Sequence, residues 1–295
     1  MMPASHTLRV RPEPTVRMRP PPPAMTVRQH VAVTMSPPAP ATPACLNCEL
    51  PLIGKFCHAC GQAAKTPARI TLGAILHELP HAILHLEHAL PHTIVALLRR
   101  PGHTMREYLG GKRVHTYSPF TLLFLTAGLL GLVMVTLKLQ GPVVVQADND
   151  VGPRLTAAIF KYNAWFRLAL LPLHAIGPAI VLRRRTGLHY GEQVVAAAMV
   201  TAGSVMLSLA ALPLRWLAYK WSAGAGALVT GGAELSTTLY VLWAYAQLQD
   251  DGKKRDAVMR WLRSIASLFA AGVVYMVVMI AAVVLLLVGK KLHLI

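Results

Sequence analysis

Outside residues 45–60 this chain of 295 residues has no cysteine, so no thiolate site or disulfide exists anywhere else. Acidic residues are also scarce: 12 Asp and Glu stand against 29 Lys and Arg, a formal net charge of +17. Charged residues of either sign make up only 14%, too few for an ordinary soluble domain. Aromatic residues do not interleave the basic stretches, which removes the stacking surface a nucleic-acid binder uses. The N-terminus lacks the apolar run of a secretory signal. No glycine-rich nucleotide loop and no serine elbow occurs, which argues against ATP-driven and serine-hydrolase chemistry.

What is abundant is apolar. Hydrophobic residues reach 54% and mean hydropathy is +0.47, values expected of a polytopic membrane protein. The excess of basic residues then reads as loops facing anionic lipid. Residues 1–44 form a Pro/Arg-rich arm, with Arg9, Arg11, Arg17, Arg19 and Arg28 against the single acid Glu13. Its proline runs cannot build a core, so disorder is expected. The arm suits a weak head-group or partner tether. More plainly it is a tolerated tail or an early start, with Met25 and Met35 as internal candidates.

All four cysteines fall into two CxxC turns, Cys45-Leu-Asn-Cys48 and Cys57-His-Ala-Cys60. Two such turns at short separation are the pattern of a tetrahedral four-thiolate zinc site. Four sulfurs close the shell and leave no place for water, so the expected role of Zn2+ is structural. The zinc ribbon is expected over residues 45–64, with the metal supplying most of its folding energy. Paired thiols of this kind point to a reducing compartment.

Residues 65–117 read as a linker followed by interfacial amphipathic helices. Pro80 and Pro91 suit the first turns of new helices, and Arg99 and Arg100 supply a basic flank. His77-Glu78-Leu-Pro-His81 matches HExxH, a zinc-protease helix. With His85, His88 and His92 it would form one stripe on an unbroken helix. Pro80 inside the motif opposes that geometry, leaving a polar face at head-group level as the simpler expectation.

Residues 118–295 read as a transmembrane bundle of about five helices. The spans are placed at about 118–138, 164–182, 193–212, 223–246 and 265–288, each close to the ~20 apolar residues needed to cross. Arg167, Pro172 and Pro178 weaken the second. Arg99, Arg100, Arg106, Lys112 and Arg113 before the first span, Arg183 to Arg185 after the second, and Lys253, Lys254, Arg255, Arg260 and Arg263 after the fourth orient the bundle. The positive-inside rule puts the N-terminus and the cysteines in the cytoplasm.

The run Phe56-Cys-His-Ala-Cys-Gly-Gln62, then Arg100-Pro-Gly102, then Arg106-Glu-Tyr-Leu-Gly-Gly-Lys-Arg113, with Pro119 ahead of a span, resembles a bacterial membrane family. That family is the domain-of-unknown-function family three-six-six-seven. The resemblance covers about residues 45–120, and the later spans only by hydropathy. It implies a zinc ribbon joined to a multi-span domain in the bacterial inner membrane, and it implies no activity. Glu49 departs from the pattern, because a glycine often follows the first knuckle; the spacing from Tyr117 to Pro119 departs as well.

Two further sites follow from residue chemistry. Arg106, Lys112 and Arg113 lie at the mouth of the first span, where they suit a lipid-phosphate or anionic-ligand contact as well as a plain charge anchor. His174 and Glu234 fall near the middle of the second and fourth spans. Intramembrane ionisable groups usually face the bundle interior, so the two are expected to pair or to line a polar cavity, or else to serve packing. The expected fold is an all-α polytopic membrane protein with a small N-terminal zinc ribbon. The expected role is non-enzymatic, an adaptor or assembly factor that binds a cytoplasmic partner through Leu50, Leu52, Ile53 and Phe56. The alternatives are a small transporter or channel using Glu234, and an intramembrane metallohydrolase using His77, Glu78 and His81. Composition leaves the oligomeric state open.

Overall fold

A computed structural model describes residues 43–65, 89–137, 161–250 and 256–291. All of them belong to one compact unit, Thr42–Ile295. Among the described residues there are seven helices and no strand. They are α1 (Ala89–Arg99), α2 (Pro101–Leu109), α3 (Pro119–Thr136), α4 (Asn163–Thr186), α5 (Tyr190–Trp221), α6 (Ala223–Leu248) and α7 (Ala257–Lys291).

The last five helices stand where the sequence places spans. Four of them, α3, α4, α5 and α7, are long and apolar enough to cross a membrane. Helix α6 has the length, with 26 residues, but falls short in composition. Its central Gly231-Gly-Ala-Glu-Leu-Ser-Thr-Thr238 dilutes the apolar run.

Local signals explain the helix ends. Pro119 occupies the first turn of α3, where its missing N–H costs nothing. Helix α4 runs unbroken through Pro172 and Pro178, so the prolines that weaken this span in the sequence do not interrupt it. A membrane helix tolerates proline where its surroundings re-satisfy freed backbone groups. Separately, Tyr190 Oη on α5 donates to the Pro172 carbonyl at 2.8 Å and ties α5 to α4. Arg183, Arg184 and Arg185 fill the last turn of α4 and complement its dipole. Helix α5 starts with a reciprocal cap: the His189 N–H donates to Glu192 Oε2 at 2.8 Å.

Helix α5 is the centre of the bundle. Residues 191–200 are buried without interruption, which an amphipathic surface helix could not tolerate. It packs against α3, α4 and α6, while α7 packs against α4 and α6. Close crossings set these pairs. A Cβ on Gly203 would meet Tyr240 Oη at 2.0 Å, and one on Gly177 would meet the Ser267 carbonyl at 2.2 Å. By contrast Gly231 and Gly232 beside Glu234 face open space. The small residues that pack helices closely here therefore lie elsewhere than around Glu234.

The short helices brace one end of this bundle. Helix α2 lies against α6 and α5, and α1 lies against α2 and α5. Tyr240 Oη on α6 donates to the Leu97 carbonyl on α1 at 3.0 Å, in a buried position. Thr93 Oγ1 on α1 accepts from the Tyr117 N–H at 2.8 Å, which pins the loop ahead of α3.

A candidate metal centre docked on the helical bundle

The cysteine segment is one turn built twice, with an offset of twelve residues. Glu49 N–H donates to the Cys45 carbonyl at 2.8 Å, and Gly61 N–H to the Cys57 carbonyl at 2.9 Å. Cys45 N–H donates to Leu50 O, and Cys57 N–H to Gln62 O, both at 2.8 Å. Bridges Ala44 to Pro51 and Phe56 to Ala63 close the two loops. Each turn ends in a left-handed residue, Glu49 at φ 65° and Gly61 at φ 75°. Glycine takes that conformation freely and glutamate does not, so the backbone explains why Glu49 departs from the family pattern at a cost.

The two turns bring four sulfurs together. All four Sγ atoms lie within 4.8 Å of one another. Cys45 and Cys60 sulfurs are 3.6 Å apart, and Cys48 and Cys57 sulfurs 3.4 Å. A disulfide needs about 2.05 Å, and all four cysteines are free thiols. Metal–sulfur bonds of about 2.3 Å in a tetrahedron give sulfur–sulfur edges near ~3.8 Å. The set therefore fits one metal ion, and it leaves no open coordination position. The buried apolar side chains of this module are Cys45, Leu52 and Cys57, too small a core to fold a 20-residue segment on its own.

Backbone amides tune the thiols. Those of Cys60 and Ala59 point at Cys57 and hold its thiol down at about 6. The Cys48 amide likewise holds Cys45 below its ordinary value. At Cys48 the Leu50 amide pulls downward, but burial and the neighbouring sulfurs of Cys57, Cys60 and Cys45 outweigh it and push the thiol up to about 12. Without a metal one of the crowded sulfurs keeps its proton; a bound cation would displace it.

The module is seated on the turn between α2 and α3. Gln62, buried at 6% exposure, uses both ends of its amide there. Its Nε2 donates to the Gly111 carbonyl at 2.9 Å, and its Oε1 accepts from the Arg113 N–H at 3.3 Å. Gly111 has φ 97°, and a Cβ at that position would meet Leu46 Cδ1 at 2.8 Å. The Gly-Gln that ends the second knuckle and the Gly-Gly-Lys-Arg that ends α2 are thus two halves of one contact. Sequence reasoning singled out both motifs and missed that they meet. The clue was a side-chain amide placed directly after the turn glycine, with no metal role left for it.

The remaining expected site residues fall as follows. Arg106 is turned to the C-terminal end of α6, where its guanidinium donates to the carbonyls of Gln247, Leu248 (3.3 Å) and Asp250 (3.0 Å). Arg113 stacks on the Tyr108 ring at 5.3 Å and donates through Nε to the Tyr108 carbonyl. Lys112 is exposed beside them. His174 contacts the Leu170 carbonyl through Nδ1 and the Tyr275 ring edge-on at 5.0 Å. Glu234 is exposed on α6 and within Coulombic reach of Arg167, whose charge in turn reaches His174. Arg167 also donates to Asn163 Oδ1 at 3.0 Å, and Asn163 donates to the Ala127 carbonyl on α3. His77, Glu78, His81, His85 and His88 lie outside the described residues, as does the arm over residues 1–42. Of the four apolar side chains expected on the knuckle loop, Leu52 turns inward under the cysteines, at 9% exposure. Leu50, Ile53 and Phe56 stay outside.

No curated protein and no solved structure matches this chain. Residues 87–131, which run from just before α1 into α3, match the family model described as Protein of unknown function (DUF3667), the family that the sequence resemblance names.

Proposed function

We propose that the chain is a membrane-anchored adaptor whose four-cysteine module holds one zinc ion and offers the loop Glu49–Phe56 to a cytoplasmic protein. The observation that carries this reading is exposure on a docked module. Ile53 is 86% and Phe56 65% exposed, although the segment has almost no apolar core of its own. Large apolar side chains displayed in that way suit a protein contact better than a phosphate backbone. Zinc is favoured because a closed tetrahedral set of four thiolates suits it. The cytoplasmic placement rests on the basic residues at the same end, Lys112, Arg113 and Arg183 to Arg185. A bacterial inner membrane is the setting that the family resemblance implies.

The test is photo-crosslinking from Ile53 in the full-length chain in cells. The adaptor reading expects a discrete protein adduct that disappears in Cys57→Ser. Adducts with lipid alone, or none, would sink it.

A second reading, a small transporter or channel, is favoured by one observation. Arg167 on α4 lies within Coulombic reach of both Glu234 on α6 and His174, and ionisable groups in a bilayer are costly unless used or paired. Substrate-independent growth with Glu234→Gln and His174→Gln would remove it.

A further inference from the structure

A cleft of about 340 Å³ opens between α1 and α2. That volume falls at the lower end of the range for small-ligand sites, roughly 300–1,000 Å³. Its lining includes Arg99, Arg100, His92, His103, Thr104 and Glu107. Other arginines near this end of the molecule are committed. Arg106 holds the carbonyls at the end of α6, Arg113 stacks on Tyr108, and Arg260 pairs with Asp250. Arg99 and Arg100 are exposed, and among the described residues neither guanidinium has a hydrogen-bond or ion-pair partner. Glu107, the one acid of the lining, is engaged by His103 Nδ1 at 3.3 Å and, among the described residues, pairs with neither guanidinium. The positive end of the α2 dipole begins between Arg100 and His103 and adds to the same field.

We infer that this cleft binds a phosphate group, held by the Arg99 and Arg100 forks with imidazole donors beside them. Arginine pairs favour phosphate because two parallel N–H donors match two of its oxygens. A lipid head group is the source favoured by position. The cleft sits beside α2, which packs on α6 at Gln247 and leads directly into α3. Val95, at 48% exposure, lines it as an apolar neighbour for an acyl chain. Free inorganic phosphate shares the recognising chemistry.

The experiment uses the full-length chain in nanodiscs containing either phosphatidylcholine alone or added phosphatidic acid, with lipid retention read by native mass spectrometry. Inorganic phosphate is titrated in a separate arm in detergent. Wild-type protein is expected to retain phosphatidic acid, Arg99→Gln with Arg100→Gln to lose it by about tenfold or more, and Lys112→Gln to retain it. Glu107→Gln removes the one acid and is expected to tighten retention, which keeps the proposal testable even where the double variant fails to fold. Binding of inorganic phosphate with the same variant pattern, and no lipid retention, would assign free phosphate to the cleft. Equal retention by wild type and the double variant, or no effect of any variant on either probe, would overturn the proposal.

Discussion

Gln62 and Gly111 join the cysteine module to the membrane helices: the Gln62 amide donates to the Gly111 carbonyl at 2.9 Å, across 49 residues of sequence. The same side chain accepts from the Arg113 N–H. A knuckle tethered only by a linker would need neither bond. Gly111→Ala is expected to undock the module, because the site combines φ 97° with Leu46 at 2.8 Å. The cost is about 2 kcal/mol or more, from backbone strain plus displacement of Leu46. Gly110→Ala sits at φ −73° with the Arg106 carbonyl 3.1 Å from the added Cβ, and is expected to cost less than Gly111→Ala. Thermal unfolding of the two variants in detergent separates them, and bound metal is expected to stay in both.

Glu49 and Gly61 are expected to respond in opposite directions. They occupy the same left-handed position of the two turns. Glu49→Gly relieves strain and is expected to stabilise the metal-bound module by up to about 1 kcal/mol. Gly61→Ala meets no atom within 4 Å, so its loss of about 1 kcal/mol would come from the backbone alone. Competition with a chelator of known affinity reads both.

Metal analysis is expected to give one zinc per chain, lost in Cys57→Ser. Acid is expected to release it, because protons compete for the thiolates. The metal-free module has its own pH dependence. The Cys57 thiol is depressed to about 6 by the Cys60 and Ala59 amides. A depressed pKa contributes stability that is present above the unfolded value and is lost as pH falls through the folded one. Cys48, raised to about 12, contributes in the opposite sense and loses its share as pH rises through its ordinary value toward 12. Stability of the metal-free segment should therefore fall on acidification toward 6, measured by exchange or proteolysis after chelation.

How much of this was legible in the chain differs from element to element. Four of the long helices were readable because each is an apolar run of spanning length, with basic clusters marking several of their ends. Helix α6, expected as a fifth span, has the length but not the apolar composition. The cluster of four cysteines was readable because thiolate spacing is a local property. Pro172 and Pro178 weaken the second span in the sequence, yet α4 runs intact through both, because membrane helices tolerate proline where their surroundings re-satisfy the backbone. Leu52 misled: composition marks a side chain as apolar but cannot tell which side of a knuckle it faces. The contact of Gln62 with Gly111 was not readable, because hydrogen-bond partners far apart in sequence leave no periodicity. Arg106 looked like an anion contact for the same reason; only the fold brings the end of α6 to it.

Arg106→Ala is expected to loosen that end of α6. Three carbonyls, of Gln247, Leu248 and Asp250, lose a charged donor, at a cost of about 2 kcal/mol together with a favourable helix-end charge. Arg106→Lys keeps the charge but not the fork, and should recover only part. Unfolding in detergent, followed by exchange at residues 245–250, reads both variants.

The docked module is tested most directly by hydrogen exchange at the Arg113 amide of the full-length chain in nanodiscs. That N–H has its acceptor on Gln62, whereas the Gly111 and Lys112 amides donate to Tyr108 and Glu107 within the α2 turn. Docking predicts that exchange at Arg113 speeds up about tenfold in Gln62→Ala, and again on removal of the metal, while α3 and α5 stay protected. Unchanged exchange at Arg113 in both cases would contradict it.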